Sequence, residues 1–217
     1  ARAETASVLP GNFVSGILGR VSFPLFAAAQ DDKMRLQAGL RKAITLVMMI
    51  NMPLMVGIAM VAKPLVSLLY GAQWAESVPF LQILCFAGIL LPLHLLNLNV
   101  LSAQGHSRLI FRLEVIKKSV GLVLLGIACF FGIKAIAWSA VVMGVICFGI
   151  NAHYSGQLLN YGALRQTMDL LPYGAVTIVM AACIRFIALP FTTPLTLLIV
   201  QTILGALVYV LLCAVLR

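Results

Sequence analysis

Apolar residues fill this chain in long blocks, and polar residues gather in the short stretches between them. Six runs read as membrane-length helices: Ala43–Leu69, Pro79–Ala103, a run ending at Ile133, Ala135–His153, Leu171–Leu189 and Leu195–Leu216. A bilayer core of roughly 30 Å takes about 20 helical residues, and helices satisfy their own backbone groups there. The run ending at Ile133 reaches that length by extending backward from Ser119 through an amphipathic stretch. A seventh and least apolar run, Ala6–Ala29, places Gly11, Asn12, Ser15, Gly16, Gly19 and Arg20 at three- and four-residue steps, one small and polar stripe on a helix. The pattern predicts an all-α polytopic membrane bundle of about seven helices.

Within the runs, Pro53 and Lys63-Pro64 interrupt Ala43–Leu69. Each proline removes a backbone donor, and Asn51 is expected to help satisfy the carbonyl that is freed. Tyr70-Gly71-Ala72-Gln73-Trp74 reads as an outer turn, with Gly71 as a helix C-cap and the two aromatics at the interface. Asp31–Lys42 and Tyr154–Leu170 read as polar connections on the opposite side, and Pro190–Pro194 as the turn of a last hairpin.

The basic residues alternate in step with the runs. Lys33, Arg35, Arg41 and Lys42 precede one run, and Arg108, Arg112, Lys117 and Lys118 precede another, whereas Lys63 and Lys134 stand nearly alone in the intervening turns. With Arg165 and Arg217, ten Lys/Arg flank one side and three (Lys63, Lys134, Arg185) the other. This positive-inside asymmetry predicts that the Lys33–Lys42 and Arg108–Lys118 segments are cytoplasmic. It also changes the meaning of the +9 net charge: the charges sit beside apolar runs, where anionic inner-leaflet lipids are the expected partners and nucleic acid is not. A hydrophobic fraction of 62% and a mean hydropathy of +1.08 exclude an ordinary soluble domain. Cys85, Cys129, Cys147, Cys183 and Cys213 are scattered through apolar runs without a CxxC spacing and read as small core residues.

Arg20 is the sharpest candidate for chemistry. It lies deep in a run, where an arginine facing lipid is expensive, so the alternatives are a cavity-lining face or a small-residue packing seam. His94, Asn97, Leu101 and Gln104 form a second stripe, read either as interhelical hydrogen bonders or as lumen residues. Glu114 is placed to pair with Lys117 or Lys118 on its own helix. None of the six carboxylates falls at the middle of a predicted run, no HExxH, GxSxG or P-loop is present, and the longest predicted loop spans Tyr154–Leu170. No enzyme, cofactor or metal site is therefore expected.

The stretches Arg20–Phe26, Gln30-Asp31-Asp32, Pro53–Gly57, Ala62–Trp74, Pro79–Leu84 and Gln104–Arg108 resemble the polysaccharide transporter (oligosaccharide flippase) family of the multidrug/oligosaccharidyl-lipid/polysaccharide exporter superfamily. The resemblance covers about residues 5–170, with Pro64-Leu65…Leu68-Leu69-Tyr70-Gly71-x-x-Trp74 its most distinctive part. It implies two helix bundles facing a central cavity. Residues 1–156 would supply an N-terminally truncated second bundle, and residues 157–217 a cytoplasmic connection and a C-terminal helical hairpin. The first bundle, in the missing N-terminal half of the polypeptide, would be the partner. The implied function is alternating-access flipping of a polyprenyl-pyrophosphate-linked oligosaccharide from the inner to the outer leaflet of a bacterial cytoplasmic membrane. The alternatives are a lipid-linked peptidoglycan precursor flippase, a multidrug exporter of the same superfamily, or a noncatalytic scaffold of a polysaccharide synthase. By this resemblance the substrate-facing residues are Arg20, with Asn12, His94 and Asn97 as lesser candidates.

Overall fold

A computed structural model describes residues 24–29, 31–187 and 194–215. They form seven α-helices: α1 (Lys33–Met60), α2 (Ala62–Tyr70), α3 (Val78–Ala103), α4 (Ser107–Phe131), α5 (Ile133–Leu159), α6 (Ala163–Ile187) and α7 (Pro194–Val215). A 3-10 turn, Ala72–Ser77, joins α2 to α3, a short helical turn covers 24–28, and no strand occurs among the described residues. Five segments are long and apolar enough to cross a membrane: Lys33–Met60, Ala72–Ala103, Ile133–Leu159, Ala163–Phe186 and Leu195–Ala214. The protein is a multi-pass membrane protein. Helix α4 is as long as these, but its first half carries Arg108, Arg112, Glu114, Lys117 and Lys118. The predicted Ala6–Ala29 helix lies largely outside the described residues.

Two predicted connections are helix instead. Asp32 caps α1, its Oδ1 accepting from the Met34 and Arg35 amides at 3.0 Å each. Satisfying those orphan donors lets the helix start ten residues before Ala43. At the other site α5 continues to Leu159 and α6 begins at Ala163, so the expected Tyr154–Leu170 loop shrinks to 160–162. Asn160 takes the left-handed conformation there (φ 54°, ψ 29°), which asparagine tolerates better than most side chains. The Arg108–Lys118 segment is likewise the start of α4, and the link from α3 is only 104–106.

One face of α1 is buried along its whole length: Leu36, Leu40, Ile44, Met48, Asn51, Met55 and Ala59, in steps of three and four. Its first two-thirds pack with Leu93, Leu96 and Val100 of α3 and Leu170 of α6, while Met55 and Ala59 join Val66, Leu81 and Cys85 in a second cluster. The outward faces stay apolar, with Leu122, Phe130 and Phe131 on α4 among the exposed residues, as a lipid-facing surface requires.

The prolines explain several polar contacts between helices. A proline at position i leaves the carbonyl of residue i−4 without its amide. Pro92 frees Gly88, and the Asn51 amide donates to the Gly88 and Ile89 carbonyls at 3.2 and 3.3 Å. Pro53 frees Met49, whose carbonyl accepts from the Tyr209 hydroxyl of α7 at 2.5 Å. Asn51 therefore serves a proline on the neighbouring helix, because its side chain points into the α1–α3 interface and away from its own ladder. Replacing Tyr209 by phenylalanine is expected to leave the Met49 carbonyl unpaired in apolar surroundings and to destabilise by about 1–3 kcal/mol. Unfolding of the membrane-extracted protein by heat, compared with wild type, measures it.

Candidate functional site: a buried polar core and a lateral apolar groove

The interior of the bundle holds a polar network that no single helix could satisfy. Asn97 is fully buried, and its amide donates to the Leu93 carbonyl at 2.8 Å and to Gln166 Oε1 at 2.9 Å. Its own Oδ1 accepts from Gln166 Nε2 at 2.8 Å and from the Ser155 hydroxyl. Gln166 Nε2 also reaches the Tyr161 carbonyl at 2.9 Å. This reciprocal amide pair ties α3, α5 and α6 together at the α5–α6 turn, with every strong donor and acceptor of Asn97 engaged.

Closer to the bundle middle, Lys117 of α4 is buried against α5. It donates to Glu114 Oε1 and, at 3.3 Å, to Asn151 Oδ1, while the Asn151 amide donates to the His94 carbonyl at 3.0 Å. His94 Nδ1 is buried and has no hydrogen-bond partner among the described residues.

At the end of the bundle that gathers the basic residues, Arg41 grips the Asp169 carboxylate through two bonds, Nε at 2.8 Å and a terminal nitrogen at 2.6 Å. The Tyr161 hydroxyl donates to the same carboxylate at 2.8 Å. Burial, and then this bond to Asp169, push the Tyr161 phenol above its ordinary pKa. The clamp fixes the start of α6 to α1.

Beyond that clamp, α1, α6 and α7 leave a lateral groove of about 980 Å³. Met49, Pro53 and Gly57 line one wall, and Tyr173, Gly205 and Tyr209 the other. Gly205 leaves room for this approach of α6 and α7: a Cβ there would stand 2.8 Å from Ile184 Cδ1, and that side-chain end would have to shift.

Of the residues singled out from sequence, Asn97 lies in the amide network and His94 beside the Lys117 cluster, on one helix and three residues apart. Arg20 and Asn12 lie outside the described residues. Sequence reasoning missed Gln166, Ser155 and Asn151. Ser155 and Gln166 were hidden where Tyr154–Leu170 was read as loop, whereas Asn151 stood inside the predicted Ala135–His153 helix as a polar residue among apolar neighbours.

The fold defines a class. Over 99% of the chain it matches the lipid II flippase MurJ in its inward closed conformation, with a TM-score of 0.82 at 15% identity and 45% of that chain covered. The chain thus shares the all-helical fold of part of that protein. Sequence narrows the kinship: residues 1–79 match the family model described as polysaccharide biosynthesis protein. A membrane protein in the cps region of Klebsiella pneumoniae is 32% identical over 155 residues, 71% of this chain and 30% of its own length. The lipopolysaccharide biosynthesis protein WzxC of Escherichia coli K12 is also 32% identical, over 115 residues, 53% of this chain and 23% of WzxC. In sequence the chain is thus similar to polysaccharide biosynthesis proteins. It spans less than a third of the length of these two relatives.

Proposed function

We propose that this chain is part of a flippase that moves a polyprenyl-pyrophosphate-linked oligosaccharide from the inner to the outer leaflet of a bacterial cytoplasmic membrane, for export of a surface polysaccharide. The observation that carries the reading is the family relation, because relatives named for surface-polysaccharide biosynthesis share this stretch of sequence. The groove supports it physically: a substrate with a long apolar tail needs an apolar channel open to the lipid, beside a polar path for the sugar. Movement follows from rocking of this bundle against its counterpart in the rest of the polypeptide.

In this reading Arg20 faces the hydrated path and holds the pyrophosphate, with Asn12 and His94 as polar neighbours, while Asn97, buried and bonded to Leu93, Gln166 and Ser155, serves helix packing instead. Guanidinium geometry matches phosphate oxygens through two parallel bonds. Arg20→Ala in the full-length protein is expected to insert normally and to cut surface glycan display about tenfold or more, the worth of one charge-assisted contact. Arg20→Lys should keep part of it. Display measured at matched protein levels decides, and wild-type display in the alanine variant removes Arg20 from the path. Lysis of cells lacking the protein, with display intact, would instead favour a peptidoglycan-precursor substrate.

A further inference from the structure

The turn after α2 carries more polar chemistry than an interfacial aromatic belt requires. It lies at the end of the bundle away from the basic residues, where α1 and α2 lead out and α3 turns back. Gly71 takes φ 89° and ψ 164°, a conformation that glycine holds at ease and other residues do not. The chain reverses there into the Ala72–Ser77 turn, which two bonds pin. The Trp74 amide donates to the Gly71 carbonyl at 3.1 Å, and the Ser77 hydroxyl donates to the Trp74 carbonyl at 2.7 Å. Trp74 and Phe80, with Gln73, Glu76 and Ser77, line a cleft of about 510 Å³. Small-molecule sites run about 300–1,000 Å³.

The polar ends in this cleft are uncommitted. The Trp74 indole N–H, the Gln73 amide and the Glu76 carboxylate have no side-chain partner among the described residues, and the Trp74 side of the cleft stays open, at 38% exposure. An aromatic face is electron-rich, and the C–H bonds on one face of a sugar ring are weakly positive, so the two stack. Sugar hydroxyls both donate and accept, which suits a donor-only indole, an acceptor-only carboxylate and an amide that does both. The one charge among the five lining residues is negative. It disfavours a phosphate and leaves the uncharged, hydroxyl-rich part of a glycolipid as the fitting ligand. Trp138, 52% exposed near the start of α5 at the same end, offers a contrast: beside it, the Ser139 hydroxyl is engaged with the Ile136 carbonyl.

We propose that this cleft binds the sugar of the exported substrate as it emerges on the outer side, with Trp74 as the stacking face and Gln73 and Glu76 as hydrogen-bonding partners. A ligand bound only at that end of the bundle shifts the equilibrium toward the flipped side.

This inference rests on the flippase reading, and the two fail separately. Full-length protein labelled with fluorotryptophan and held in phospholipid nanodiscs (a maltoside detergent would itself offer sugar) gives fluorine resonances for Trp74 and Trp138, each assigned by its loss in the phenylalanine variant. The probe is the repeat-unit oligosaccharide cut from the same bacterium's surface polysaccharide. The Trp74 resonance is expected to shift saturably at millimolar probe, while that of Trp138 stays put. Gln73→Ala/Glu76→Ala, on an exposed turn, should weaken the titration about tenfold. In cells, Trp74→Ala should lower surface glycan display about fivefold at matched protein level, and Trp74→Phe should keep most of it. If Trp74→Ala does not accumulate, the double variant takes its place in the display measurement. No shift at Trp74, an equal shift at Trp138, or wild-type display in the variant overturns the proposal. Normal display in cells lacking the protein overturns the flippase reading instead, and the titration still tests the cleft.

Discussion

Gly156→Ala is expected to be the most damaging single-methyl change in the bundle. A Cβ at position 156 would lie 2.5 Å from the Gly162 Cα and 2.9 Å from its nitrogen, both backbone atoms that cannot rotate away. The 160–162 turn would have to move, and with it Tyr161, Gln166 and the Asp169 clamp. Overpacking of side chains costs about 1–3 kcal/mol, and backbone displacement puts this site at the top of that range or above it. Gly162→Ala is the matched control, because its Cβ would meet nothing nearer than the Ala152 carbonyl at 3.9 Å. Heat unfolding in detergent should separate the two variants by several degrees. Equal midpoints would mean that the turn yields freely.

Asn97→Leu comes next. Leucine fills the volume but removes a donor and an acceptor from three partners at once, stranding Gln166 Oε1, leaving Gln166 Nε2 only the Tyr161 carbonyl and leaving the Ser155 hydroxyl only the Ala152 carbonyl at 3.5 Å, in a site with no exposure. Each stranded group costs about 1–3 kcal/mol, so a loss of about 2–4 kcal/mol is expected after relaxation. The double variant Asn97→Leu/Gln166→Leu should recover part of that loss, because the pair is removed together. Additive losses in the double variant would show that the reciprocal amide pair contributes no coupling.

Much of the fold was legible because lipid imposes one rule. Apolar length and basic flanks located Pro79–Ala103 within a residue of α3 and the start of the last run, Leu195, within a residue of α7, whereas α6 begins eight residues before the expected Leu171. The errors fell where polar residues were equated with loops. Asp32 is a standard helix-start signal, and Asn160 followed by Gly162 a helix-stop signal, yet charge and polarity in 31–42 and 154–170 outweighed them. In a membrane bundle, helix ends can project into water and carry charge without ending. Glu114 shows the same limit. Its local pairing with Lys117 was readable from spacing, but a linear pattern cannot say which partner the neighbouring helices enclose. The amide network was illegible for a related reason: Asn97 and Gln166 stand 69 residues apart, and only the packing of α3 on α5 and α6 makes them a pair.

Asn51 with Pro92, and Tyr209 with Pro53, belong together for a reason that concerns inheritance as much as stability. A non-proline residue at position 92 would bring its own amide to the Gly88 carbonyl, and an asparagine at 51 would keep there only its 3.3 Å contact with the Ile89 carbonyl. Tyrosine 209 stands in the same relation to position 53. Each bend in one helix is thus written in two places on the chain, so drift at the proline relaxes selection at its distant partner. Such pairs should therefore be lost or kept as units across relatives, even though the two members differ in chemistry and lie on different helices.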